Sequence, residues 1–145
     1  MLAPLALPLQ LPLAKSAIDR AAHHRTNESE LEELWLKAKI AHFNGEKFLV
    51  DENGLVFLPH THLVEGERFF LGIDNEGTPY FLFVSPLLFG PEESYKLLRE
   101  GNLNELQIGV AVHGQSLALW HKRHPKCSMC GADTKPALGG SVRRC

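Results

Sequence analysis

Residues 39–84 cannot form one long helix, because turn-forming pairs interrupt every short apolar run in this stretch. Residues 40–43 are followed by Asn44-Gly45, residues 47–50 by Asn53-Gly54, and residues 55–58 by a loop that begins at Pro59. Asn-Gly favours the type I′ hairpin turn, since both residues accept positive φ and that turn matches the twist of paired strands. After the loop, residues 67–73 and 79–84 flank Asp74, Asn75, Glu76 and Gly77 and are expected to make another antiparallel hairpin. At least five strands then follow one another, and parallel pairing would need crossovers that these spacings do not allow. The expected fold class is therefore α+β, an antiparallel sheet of about five or more strands with a few helices.

Helices are expected on either side of this meander. Asn27 and Glu30 have capping-box spacing, and Leu31, Leu34, Trp35 and Ala38 recur at helical intervals behind a first turn crowded with Glu28, Glu32 and Glu33. Beyond Gly90-Pro91, residues 92–100 look like a short helix that Pro91 opens and Gly101 closes. The longest helical candidate runs from Asn104 to His121, with Leu106, Val110, Leu117 and Trp120 along one face. Its Gly109, Ala111, Gly114, Ser116 and Ala118 would let another element approach closely, although each glycine costs about 1 kcal/mol of helix propensity.

A chain of 145 residues and 16.2 kDa suits one domain with a small appendage. The expected division is an N-terminal extension over 1–15, a body over 16–124 and a tail over 125–145, with Pro125 marking the last boundary. The apolar start contains Pro4, Pro8 and Pro12 and no basic residue before its leucines, and no stretch reaches the roughly 18 apolar residues of a membrane span. A soluble, cytoplasmic protein that does not engage a membrane is expected. Charge is segregated: residues 1–116 hold nine Lys or Arg against sixteen Asp or Glu, whereas residues 117–145 hold six against Asp133 alone. Such asymmetry implies a tail that is expected to meet something anionic: phosphate, nucleic acid or the acidic body of its own chain.

All three cysteines, Cys127, Cys130 and Cys145, fall within the last nineteen residues. A disulfide framework would spread an even number through the chain, and a redox C-x-x-C opens a helix after a strand, whereas this pair follows a helix and precedes Gly131 and Pro136. Cys127-Ser128-Met129-Cys130-Gly131 instead has the form of a metal knuckle, a tight turn that aims two thiolates at one cation. A zinc ribbon repeats the knuckle after about 15 to 20 residues, and fourteen residues separate Cys130 from Cys145. Three ligands leave one corner of a tetrahedron open, so the sequence is expected to break off inside a metal site. His121 and His124 are candidates for that corner, although a basic run at a helix C-terminus needs no metal to explain it. The pair His60 and His62 lacks a further ligand nearby.

No G-x-S-x-G, Walker loop or H-E-x-x-H occurs. The run 118–124, then Cys127-x-x-Cys130-Gly131-Ala132, Thr134, Gly139-Gly140 and Arg143-Arg144-Cys145, resembles the junction in NADH pyrophosphatases of the Nudix superfamily. Weaker likeness runs back through residues 67–72 and 79–81 to Ser16. In that family a degenerate Nudix-like domain precedes a four-cysteine zinc ribbon and then the catalytic Nudix domain.

The resemblance implies structural zinc on Cys127, Cys130 and Cys145, a homodimer, and NAD(H) or NAD-capped RNA as substrate of the whole enzyme, cleaved with Mg²⁺ or Mn²⁺. The glutamates that hold those ions belong to a Nudix box, G-x5-E-x7-R-E-U-x-E-E-x-G, which this chain lacks. Arg99-Glu100-Gly101 is its nearest fragment. Without a cation to neutralise phosphate charge and activate water, the chain is expected to be inert alone, supplying scaffold, dimerisation or support to the substrate site. A stand-alone zinc-ribbon module that binds nucleic acid or protein, with Trp120 available for stacking, is the alternative.

Overall fold

The computed structural model describes residues 18–145. The extension expected over 1–15 and the family-like start at Ser16 lie outside the described residues. Strand β1 (Ile18–Asp19) and a 3-10 turn (Ala22–Thr26) lead into helix α1 (Glu28–Leu36). The Asn27 side chain accepts the Glu30 N–H at 3.1 Å, so the helix starts where its capping residues place it. Then come β2 (Lys39–Phe43), β3 (Phe48–Asp51), β4 (Gly54–Leu55), β5 (Phe57–Leu58), β6 (Glu67–Asp74) and β7 (Pro79–Val84). A short β8 (Tyr95–Lys96) precedes helix α2 (Glu105–Arg123), and β9 (Lys135–Ala137) and β10 (Val142–Arg144) form a separate hairpin.

The body is α+β, with strands ordered β1-β6-β7-β2-β3-β4, β5 added on β2 and β8 on β3. One pairing departs from the expected antiparallel sheet. β2 and β7 run parallel over five residue pairs, from Lys39 opposite Tyr80 to Phe43 opposite Val84. The crossover argument holds for strands adjacent in sequence, but here the whole excursion through β3, β4, β5 and β6 serves as the connection. The sheet is therefore mixed.

Alternation along the central strands serves two cores. Ala41, Phe43, Phe69, Leu71 and Leu82 point toward Val110, Ala111 and Ala118 of α2, while Ile40, Phe70, Phe81 and Phe83 point toward Leu34 and Trp35 of α1. Each fully buried Phe or Leu contributes about 1.5–3 kcal/mol of transfer free energy, so the two helices hold the sheet from both faces. Gly114 permits this closeness on one side, since a Cβ there would sit 3.1 Å from Leu82 Cδ1.

Two local expectations give way to side-chain chemistry. The Asn-Gly turns are not type I′: among the described residues only Ala21 and Leu138 are non-glycine residues with positive φ, so Asn44 and Asn53 keep negative φ. Asn44 Oδ1 instead accepts the N–H groups of Glu46 and Lys47 at 3.0 and 2.8 Å, an Asx turn that makes a left-handed Asn unnecessary. Residues 92–100 form no α-helix but two 3-10 turns, Glu92–Ser94 and Leu98–Glu100, on either side of β8. Burial of Tyr95 against β3, where it faces Leu49, pulls this segment into the sheet.

Candidate metal centre

Helix α2 carries the tail. Asn104 and Gln107 cap its start reciprocally, at 2.9 and 3.2 Å, and the helix stops at His124. The knuckle then folds on its own backbone: the Cys127 N–H donates to Ala132 O at 2.8 Å and the Gly131 N–H to Cys127 O at 2.9 Å. Gly131 has φ +73, a conformation that favours glycine, which explains the C-x-x-C-G pattern physically. Thr134 closes the base of the loop, with its N–H on Pro125 O at 2.9 Å and its hydroxyl 3.1 Å from the carbonyls of His124 and Pro125. The β9–β10 hairpin then returns the chain to the knuckle.

This return brings the sulfurs of Cys127, Cys130 and Cys145 within 4.8 Å of one another. Zinc–sulfur bonds of about 2.3 Å in a tetrahedron require sulfurs about 3.8 Å apart, so small side-chain adjustments close these three on one ion. The thiols are free of disulfides. Backbone N–H groups of Cys130 and Met129 hold the Cys127 thiol at about 7, below the ordinary thiol range. Cys145, hydrogen-bonded to the Cys127 and Cys130 sulfurs, is pushed up. One thiolate is thus already favoured, and a soft dication would favour the others. The donor set fits structural zinc.

Neither candidate histidine belongs to the cluster. His121 is buried and stacked on Phe69, with ring centroids 4.5 Å apart and planes 5° from parallel. Arg143 Nη1 donates to its Nδ1 at 2.8 Å, which fixes the tautomer so that Nε2–H donates to Gly140 O at 2.6 Å. Burial pushes the His121 pKa down, and the Arg143 charge adds to that effect. His121 therefore fastens the tail to the body. Arg143 continues the clasp with bonds of 2.7 and 2.8 Å to the hydroxyl and carbonyl of Thr134. His124 hydrogen-bonds Trp120 O at 2.9 Å and lines a cleft of about 490 Å³ beside the cysteines, with Trp120, Lys126, Arg143 and Arg144. His60 and His62 lie on a 3-10 turn within the loop that begins at Pro59, away from the cysteine cluster's ligand set.

A fully buried histidine, His42, escaped the sequence reading. Its Nδ1 meets Tyr95 OH at 2.7 Å and its Nε2 meets Ser85 O at 3.1 Å, which accounts for both ring nitrogens within the core. No helix among the described residues is long and apolar enough to cross a membrane.

No protein-family model matches the chain. It is 30% identical over 113 residues to the NAD-capped RNA hydrolase NUDT12 of Homo sapiens, and equally to that of Macaca fascicularis. The match takes in 78% of this chain but only 22% of either relative, so the chain spans about a fifth of the length of the curated relatives it matches. Together with an α+β body compatible with a Nudix-like fold, this similarity supports a relationship between the chain and the Nudix family.

Proposed function

We propose that this chain is the N-terminal Nudix-like domain and first part of the zinc ribbon of an NADH pyrophosphatase. The whole enzyme would hydrolyse the pyrophosphate of NAD(H) to NMN(H) and AMP and remove NAD caps from RNA. The observation that carries the reading is the convergence of Cys127, Cys130 and Cys145 at the end of a helix that anchors a Nudix-compatible body, in a chain similar to an NAD-capped RNA hydrolase. Under this proposal residues 16–124 are the body and 125–145 the partial ribbon, and the fourth zinc ligand and a catalytic Nudix domain come from outside these residues. The three cysteines hold zinc as a structural cross-link, without a catalytic role. Mg²⁺ or Mn²⁺ serves only the catalytic domain. The chain itself contributes scaffold, homodimer contacts and support to the substrate site in the cytoplasm.

Purified 145-residue chain should show no NADH hydrolysis with added Mg²⁺ or Mn²⁺. Turnover that co-purifies with the chain and follows its concentration would overturn the non-catalytic role. A second reading draws on the cleft beside the cysteines, where Trp120, Lys126, Arg143 and Arg144 offer stacking and phosphate contacts. A stand-alone nucleic-acid module would bind RNA with an affinity that falls steeply as salt rises.

A further inference from the structure

On the same face of α2 as the cysteine-side cleft, one to two turns nearer its start, lies a second basic cleft, of about 440 Å³, lined by Arg20, Arg25, Thr26, His113, Leu117 and Ser141 among others. It forms where three separate pieces meet: the 3-10 turn before α1, the middle of α2, and the turn joining β9 to β10. No Asp or Glu is among its lining residues. That is notable in a body where acidic residues outnumber basic ones.

Arg25 is the central group. It is only 8% exposed, yet among the described residues it meets no carboxylate. Its guanidinium lies over the Phe70 ring, 4.9 Å from the centroid, and donates through Nη1 to Gly139 O at 3.3 Å. A guanidinium carries five N–H donors in a fixed fork that matches two oxygens of a carboxylate or phosphate, and here one protein acceptor meets them. Burial first, and then the nearby charge of Arg20, lower the pKa of Arg25, and among the described residues Arg20 also forms no ion pair with a carboxylate. A buried guanidinium beside a second, exposed cation and without a counter-charge is costly, and an anion between them would offset that cost.

His113 reports the same field from the helix side. Burial first, then Arg20 and Arg25, push its pKa down to about 4, so its ring is neutral while both guanidinium groups are charged. The Thr26 and Ser141 hydroxyls at the rim donate to His23 O and Leu138 O at 3.3 and 2.9 Å and can rotate toward a ligand. Backbone strain gathers at this place as well. The two non-glycine residues with positive φ among the described residues, Ala21 at 46° and Leu138 at 51°, sit next to Arg20 and in the cleft wall respectively. Residues held in such conformations cluster at ligand sites.

We propose that this cleft is an oxyanion site that takes a phosphate monoester of mononucleotide size, with Arg25 and Arg20 clamping the phosphate and Ala22, Leu117 and Leu138 facing the organic part. The volume lies within the ordinary range for small-ligand pockets. Because the walls come from both body and tail, an occupied cleft also ties the β9–β10 turn to the body.

Calorimetric titration of the 145-residue chain with AMP and with inorganic phosphate tests the assignment. The expected result is saturable binding of AMP, weakened about tenfold or more by Arg20→Ala, whose exposed side chain can be removed without disturbing the core. Arg25→Gln should abolish binding, and a far-ultraviolet circular dichroism spectrum like that of the parent excludes unfolding as the cause. Lys126→Ala, in the other cleft, should leave affinity unchanged. AMP binding tighter than phosphate assigns the apolar wall to the nucleoside, and equal affinity assigns the site to the phosphate alone. In proton NMR titrations saturating AMP should raise the pKa of the His113 ring. Absence of binding at millimolar AMP, or equal affinity in Arg20→Ala and parent, would overturn the proposal, as would loss of binding in Lys126→Ala. None of these outcomes bears on NADH hydrolysis, so the site stands or falls separately from the proposed enzyme.

Discussion

Three imidazoles, His42, His113 and His121, are held neutral because burial penalises their charged forms, and two of them also face arginines. The consequence for stability has a definite sign. The unfolded chain takes up a proton on each imidazole as pH falls below about 6.5, whereas folded His113 resists until about 4. Its contribution is complete above 6.5 and is lost progressively as pH falls toward 4. Urea unfolding of the parent at pH 7 and pH 5 should therefore show a marked loss at the lower pH. His113→Gln, which cannot titrate, should reduce that loss while His42 and His121 retain theirs. An unchanged pH dependence in His113→Gln would mean that the ring is more solvated than its place between α2 and the arginines indicates.

At the scale of elements, the places of the turns and the start of the first helix were legible in the sequence, whereas the turn type at Asn44 and Asn53, the fate of residues 92–100 and the long-range pairing were not. Asn27 announces the first helix because capping is a contact over three residues, and its side chain takes the Glu30 N–H; the cap that Asn104 gives the second helix emerges only in the structure. The hairpin around residues 74–77 is equally local, with Asp74 Oδ1 accepting the Glu76 and Thr78 N–H groups, each at 2.9 Å. The parallel pairing of β2 with β7 has no such local signature, since it depends on strands that come between them in sequence filling the sheet on either side. The cysteines were legible from spacing, whereas Arg20, Arg25 and His113 belong to no motif and meet only through the fold. Gly72 shows what an element boundary can hide. It sits at the irregularity where β6 slips its register against β7, with φ +137, and β1 passes so close that a Cβ would lie 2.2 Å from Asp19 O. Gly72→Ala combines a strained φ with a clash against rigid backbone, so a loss of about 2 kcal/mol or more is expected in denaturant midpoints. A loss of only a few tenths would show that β1 can lift away from the sheet at little cost.

Across the whole molecule the tail is held by two sets of contacts with different chemistry, one to the body and one within the tail itself, which decides what metal removal does. One attachment is protein alone: Gly140 lies against Phe69, where a Cβ would come within 2.5 Å of the ring, and its carbonyl receives His121, while Gly139 O receives Arg25. The other is the thiolate cluster, which joins the knuckle to the end of β10. A complete structural zinc site contributes on the order of 10 kcal/mol of local folding energy, and three thiolates contribute less because the open corner falls to a weaker ligand. Zinc on this chain should accordingly be stoichiometric at high metal concentration yet yield to an equimolar chelator, as elemental analysis after gel filtration would record. Amide exchange should then accelerate across residues 126–133, whose hydrogen bonds close on the knuckle itself, while Gly140 and the α2 amides keep their protection because their anchors need no ion. Cys127→Ser should reproduce the same pattern without chelator. If zinc resists the chelator, a fourth strong ligand lies within these 145 residues. If chelation instead unfolds α2 and the sheet together, the clasp of His121, Arg143 and Arg25 depends on the metal and the two attachments are one.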